Sequence, residues 1–84
     1  MLIQVVGMDC EACRRTNADV RAIVAQLELD AQVERVDDPA ALIRLGILTI
    51  PTVLIDGHIV SNGYRRRQGM EKIIRQHMNQ AEPH

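Results

Sequence analysis

The stretch Leu2-Ile3-Gln4-Val5-Val6-Gly7-Met8-Asp9-Cys10-Glu11-Ala12-Cys13 decides how the rest of this chain is read. Leu2, Ile3, Val5 and Val6, broken only by Gln4 and closed by Gly7, predict a short buried strand. After Cys10 the period changes: Val20, Ile23, Val24 and Leu27 fall at helical spacing, which predicts an amphipathic helix from about Cys10 to Leu27. Asp9 stands where an N-cap belongs. Two thiols three residues apart therefore sit at the junction of a strand and a helix.

That junction suits sulfur chemistry. A disulfide can close across one helical turn, and the first sulfur faces the amide donors and the positive dipole end of the helix. Both features stabilise a thiolate, the species that reacts in thiol–disulfide exchange. Arg14 and Arg15 pull the Cys10 pKa down, while Asp9 and Glu11 push it up. The acidic flank is expected to favour a reducing couple.

Working outward, Asp30 to Val36 reads as an edge strand, and Asp38-Pro39 starts a short helix carrying Leu42, Ile43 and Leu45 and ending at Gly46. Val53 to Ile55 and His58 to Val60 form a hairpin across Asp56-Gly57, a pair that tolerates positive φ. Thr49-Ile50-Pro51 opens it, with a cis Ile50–Pro51 bond expected beside the Cys10 sulfur. Gly63 breaks the second hairpin strand, and Met70, Ile73, Ile74, His77 and Met78 trace a last helix. The order β-α-β-α-β-β-α, with strands linked both through a helix and by a hairpin, predicts an α/β fold with a mixed sheet. One domain over residues 1–80 and a frayed tail over 81–84 are expected.

Composition narrows the function. The 84 residues carry a net charge of -1, without the basic excess that phosphate binding requires. Tyr64 is the single aromatic residue, so stacking platforms for bases are missing and the core must be aliphatic. Nucleic acid is set aside as a partner. No apolar run approaches the ~20 residues of a membrane helix, and the first residues lack a basic n-region and a cleavage site. Neither a membrane span nor a secretory signal is expected. Two cysteines are too few for a stapled secreted scaffold. His58, His77 and His84 are too scattered to complete a zinc site with them, so no metal is assigned. Arg65-Arg66-Arg67 reads as a solvated turn, Met70 and Met78 as core filler, and Tyr64 as packing on the last helix.

The Cys10-x-x-Cys13 after strand one, Pro51 opening strand three, the Asp56-Gly57 hairpin and Gly63 before the last helix together resemble the thioredoxin-like superfamily, in particular its small thioredoxin-like and glutaredoxin-like redox proteins. The resemblance covers nearly the whole chain. It implies a four-stranded mixed sheet with the first strand and the hairpin at its centre and helices on both faces. It also implies a cytoplasmic thiol–disulfide oxidoreductase with no cofactor. Cys10 would be the exposed attacking thiol, Cys13 the buried resolving thiol, and Pro51 a cis-proline facing them. Thr49, Ile50 and Pro51 would bind substrate, the Ile50 backbone pairing with a substrate strand, while Asp9, Glu11 and Arg14 would modulate the dithiol. The implied partners are a protein or small-molecule disulfide and an electron donor, either a reductase or glutathione.

Glu11-Ala12 differs from the Gly-Pro of thioredoxins and the Pro-Tyr of glutaredoxins, and Leu2 to Val6 supplies no buried acid. Ser61-Asn62-Gly63 also lacks the paired glycines of glutaredoxins. Gly7-Met8-Asp9-Cys10-Glu11-Ala12-Cys13 is similar to the motif of small heavy-metal-associated domains, whose two thiolates hold a soft ion such as Cu(I). That alternative implies the order β-α-β-β-α-β with a closing strand and has no use for a cis-proline. A non-catalytic interaction module on the thioredoxin-like fold is the third class.

Overall fold

The computed structural model describes residues 1–81. Strands β1 (Leu2–Val6), β2 (Gln32–Val36), β3 (Thr52–Ile55) and β4 (His58–Asn62) alternate with helices α1 (Glu11–Gln26), α2 (Pro39–Arg44) and α3 (Arg67–Ala81) in the order β1-α1-β2-α2-β3-β4-α3. They form one four-stranded sheet in the order β2-β1-β3-β4. β1 runs parallel to β2 and antiparallel to β3, and β3 runs antiparallel to β4. The mixed sheet follows from the connections: a helical crossover joins parallel strands, and a tight turn joins antiparallel ones.

Side-chain alternation sorts each central strand between two layers. Ile3 and Val5 of β1 and Val53 and Ile55 of β3 pack against Val20 and Ile23 of α1 and Met70 and Ile74 of α3. Val6 and Leu54 turn the other way, toward Ile47, with Leu42 of α2, Val36 and Ile50 partly covering them. Helices therefore lie on both faces, two on one side and one on the other. All four residues of β3 are buried, as its central position demands.

The hairpin turn carries φ of +49° at Asp56 and +85° at Gly57, the sign that matches the twist of the paired strands. Asp56 also ties the turn to β1, because its Oδ1 accepts from the Leu2 amide at 2.8 Å. Asp38 caps α2, accepting from the Ala40 amide at 3.1 Å, with Pro39 in the first turn.

Four expectations need correction. The resemblance put the whole hairpin at the centre of the sheet, but β4 is an edge strand and β1 and β3 alone are central. A bulge helps end the pairing there: Val53 faces Ser61 and Leu54 faces Ile59, which leaves Val60 as the extra residue. The N-cap of α1 is Cys10 and not Asp9, since Cys10 is the last residue with extended backbone (φ −121°, ψ 158°). Ala81 closes α3 and does not belong to a tail, while residues 82–84, and with them His84, lie outside the described residues. Finally, Arg67 begins α3, so only Arg65 and Arg66 belong to the turn before it.

Candidate functional site

The site grows from the end of β1. Gly7 donates its amide to the Val36 carbonyl at 2.9 Å, which carries the β1–β2 pairing one residue past the strand. The chain then turns through Met8 and Asp9 into α1. Cys10 and Cys13 form a disulfide there, with Cα atoms 5.1 Å apart. The Cys10 Sγ accepts from the Cys13 amide at 3.1 Å, so the sulfur itself caps the helix. Cys13 lies on the inner face of α1 and is 4% exposed, whereas Cys10 is half-buried.

Gly7 matters beyond closing the strand. A Cβ at this position would lie 2.6 Å from the Cys13 Sγ and 3.1 Å from its Cβ, so only glycine lets the strand end lie against the second cysteine. The same point is 3.8 Å from the Cα of Pro51, which brings the proline loop to the dithiol from the opposite side. Sequence reading took Gly7 as a strand terminator. Its place directly before the Cys-x-x-Cys loop was the available signal.

The Ile50–Pro51 peptide is cis. Pro51 is buried, Ile50 half-buried and Thr49 exposed, a gradient that runs outward from the core. Two contacts hold this loop: the Thr52 hydroxyl donates to the Thr49 carbonyl, and the Gly63 amide donates to the Pro51 carbonyl at 2.7 Å. Gly63 adopts φ +84°, a conformation that favours glycine, and so links the end of β4 to the proline.

The charged neighbours are arranged differently from what their order along the chain suggests. Asp9 and Arg14 were expected to act on Cys10 with opposite sign. Instead they pair with each other at 2.6 Å, and both are exposed, so their charges largely cancel. Glu11 is left as the acid nearest the thiols. Arg15 turns away from them, its Nη1 lying 3.5 Å from the Tyr64 hydroxyl. This hydrogen bond, followed by the charges of Tyr64 and Glu11, holds the Arg15 guanidinium above its ordinary pKa. Tyr64 was expected on the last helix. It lies at the start of α1 because the link from β4 to α3 crosses that helix end.

Glu11, Ala12, Arg15 and Tyr64 line an open depression of about 300 Å³ beside the disulfide. Sequence reading missed this feature, since Arg15 and Tyr64 are 49 positions apart. Among the described residues no three His, Cys, Asp or Glu side chains come together as a metal-binding group. No helix there is long and apolar enough to cross a membrane. The order of elements, with α2 between β2 and β3, is not that of the heavy-metal-associated domains.

Known proteins share this arrangement. The chain is 27% identical over 75 residues to a thioredoxin of Methanothermobacter thermautotrophicus, covering 88% of this chain and 97% of the relative. Its fold is similar to that of thioredoxin 1 from the thermophilic eubacterium Thermosipho africanus, with a TM-score of 0.66 at 20% identity, over 96% of this chain and 98% of that one. A malarial protein superposes with a TM-score of 0.71 at 12% identity, over 92% and 96% of the two chains. Residues 1–75 match the thioredoxin domain as a family, from β1 into α3, and by that match the chain belongs to the thioredoxin domain family.

Proposed function

We propose that residues 1–80 act as one domain and as a thiol–disulfide oxidoreductase, with Cys10 as nucleophile and Cys13 as resolving thiol. The asymmetry between the sulfurs carries this reading. Cys10 is half-buried at the helix N-terminus, while Cys13 is 4% exposed on its inner face. A Cys10 thiolate keeps the amide donor that its sulfur has in the disulfide, now as a charge-assisted hydrogen bond. The helix dipole adds to that stabilisation.

In the forward direction the Cys10 thiolate attacks one sulfur of a substrate disulfide. The substrate S–S bond breaks, one substrate half leaves as a thiolate and takes up a proton, and the other half remains bonded to Cys10. Cys13 then loses its proton and attacks the Cys10 sulfur, which releases the second half as a thiol. The substrate has gained two electrons and two protons, and the Cys10–Cys13 disulfide has formed. A dithiol reductase or two equivalents of glutathione return the pair to the reduced state. The cytoplasm, where thiols are kept reduced, suits this direction.

Thr49, Ile50 and Pro51 are the proposed substrate-binding segment. Pro51 comes to the dithiol across Gly7, and Thr49 and Ile50 lie progressively closer to solvent. A substrate strand would pair with the Ile50 backbone next to the cis-proline. Of the residues expected to modulate the thiols, Glu11 has the clearest role, because Asp9 and Arg14 offset one another.

Limited alkylation of the reduced protein tests the assignment. Cys10 should be modified first, and Cys13→Ser should accumulate a mixed disulfide with substrate that Cys10→Ser does not form. Equal or faster labelling of Cys13, or turnover of an insulin disulfide by Cys10→Ser, would overturn the roles. Tight Cu(I) binding without disulfide turnover would point to the soft-metal alternative.

A further inference from the structure

Half of the ten basic residues stand in two short runs, Arg14-Arg15 and Arg65-Arg66-Arg67. The fold brings these runs together. Arg15 reaches the Tyr64 hydroxyl at 3.5 Å, and the Arg67 Nε lies 4.0 Å from Asp19 Oδ1 on α1. Arg14 is taken up by Asp9 and Arg67 faces Asp19. Arg15, Arg65 and Arg66 have no carboxylate within ion-pair distance among the described residues. The Arg65 Nε donates to the Ser61 hydroxyl at 3.0 Å, which fixes its stem near the end of β4.

These cations border the depression whose floor is made by Glu11 and Ala12, the two residues between the cysteines. A disulfide that reaches the Cys10 sulfur brings the residues next to its own cysteine over this surface. Arg15 lies one helical turn beyond Glu11 on the same helix face, so a carboxylate can meet the guanidinium while staying clear of Glu11. Tyr64 supports the same polarity: its hydroxyl oxygen accepts from Arg15, which leaves its O–H free to donate to an anion. The three cations without ion-pair partners outweigh Glu11, although the whole chain has a net charge of -1.

We infer that the depression lined by Arg15, Tyr64 and Ala12, with Arg65 and Arg66 at its rim, is a specificity subsite for a carboxylate. Its occupant is a protein segment with an acidic residue beside the reacting cystine. This rests on the oxidoreductase reading for its consequence but on charge geometry for its binding. Because the cations are exposed, the preference is sensitive to salt, falling over a Debye length of about 8–10 Å at physiological ionic strength.

The test uses two synthetic peptide disulfides that differ only in having Glu or Gln beside one cysteine, reduced by the protein with dithiothreitol as donor. Wild type should favour the Glu peptide in kcat/KM by about tenfold at low salt, with the ratio falling as salt is added. In Arg15→Gln/Arg66→Gln the ratio should drop to near one. A wild-type ratio near one, or an unchanged ratio in the variant, would overturn the subsite. Binding of the matching peptides with Ser in place of Cys separates the two readings. Glu-selective binding without turnover sustains the subsite and sinks the oxidoreductase, and turnover without selectivity does the reverse. A charge-dependent preference for oxidised glutathione that the Glu peptide lacks would overturn the protein segment as occupant.

Discussion

Under α1 and α3 the sheet buries Ile3, Val5, Val53 and Ile55 against Val20, Ile23, Met70 and Ile74. Its opposite face buries only Val6 and Leu54 against Ile47, with Leu42, Val36 and Ile50 half-covered. The short α2 shields so little that Ile43 is 82% and Leu48 97% exposed. The thick face supplies most of the burial that holds the fold together, and the thin face leaves apolar side chains in solvent just before the proline loop. The dithiol lies where the two meet. Cys13 is anchored in α1 on the thick side, while Thr49 and Ile50 approach from the thin side, where a bound segment could cover apolar surface.

Substitutions can break or sharpen this contrast. The largest effect is expected for Ile23→Ala, which opens a cavity at a fully buried position of the thick face and should cost about 4 kcal/mol in chemical denaturation. A loss below about 1 kcal/mol would mean that the thick face is not where stability resides. Gly7→Ala comes next, at about 3 kcal/mol, because the added methyl meets Sγ and Cβ of Cys13 on a side chain held by α1. If it folds as stably as wild type, the strand end and the dithiol are less tightly packed than the geometry implies.

On the thin face, Ile47→Ala should cost about 2 kcal/mol, near the lower end for such truncations, since its site already borders solvent. A cost matching that of Ile23→Ala would erase the distinction between the faces. Asp38→Ala removes the cap of a six-residue helix and should lower stability by about 1 kcal/mol in thermal or denaturant unfolding. Leu48→Ser should change stability by less than about 0.5 kcal/mol, because the side chain is almost wholly in solvent. If Leu48→Ser nonetheless slows reduction of a protein disulfide, the thin face contributes to substrate binding.

Local signals were legible wherever a single element decides the matter. The four-residue spacing in α1, the Asp38-Pro39 start of α2 and the Asp56-Gly57 turn each depend on backbone preferences acting within a few residues. Asp9 was misread as the cap because Asp is the stronger capping residue in isolation. Here its carboxylate is engaged by Arg14, and the chain enters the helix one residue later. Tyr64 was misplaced for a different reason: the path of the β4–α3 link depends on how α1 and α3 pack together, which no local pattern encodes.

The chemistry of the site follows the same division. The sequence by itself determined that two thiols stand at a strand-to-helix junction and that a proline opens a buried strand, because residue type, spacing and strand or helix period are properties of short segments. Only the tertiary structure decided that Gly7 presses against Cys13, that Asp9 and Arg14 cancel, and that Arg15 meets Tyr64 across 49 positions. Those outcomes depend on which surfaces of distant elements touch, and close packing of the whole chain sets that contact.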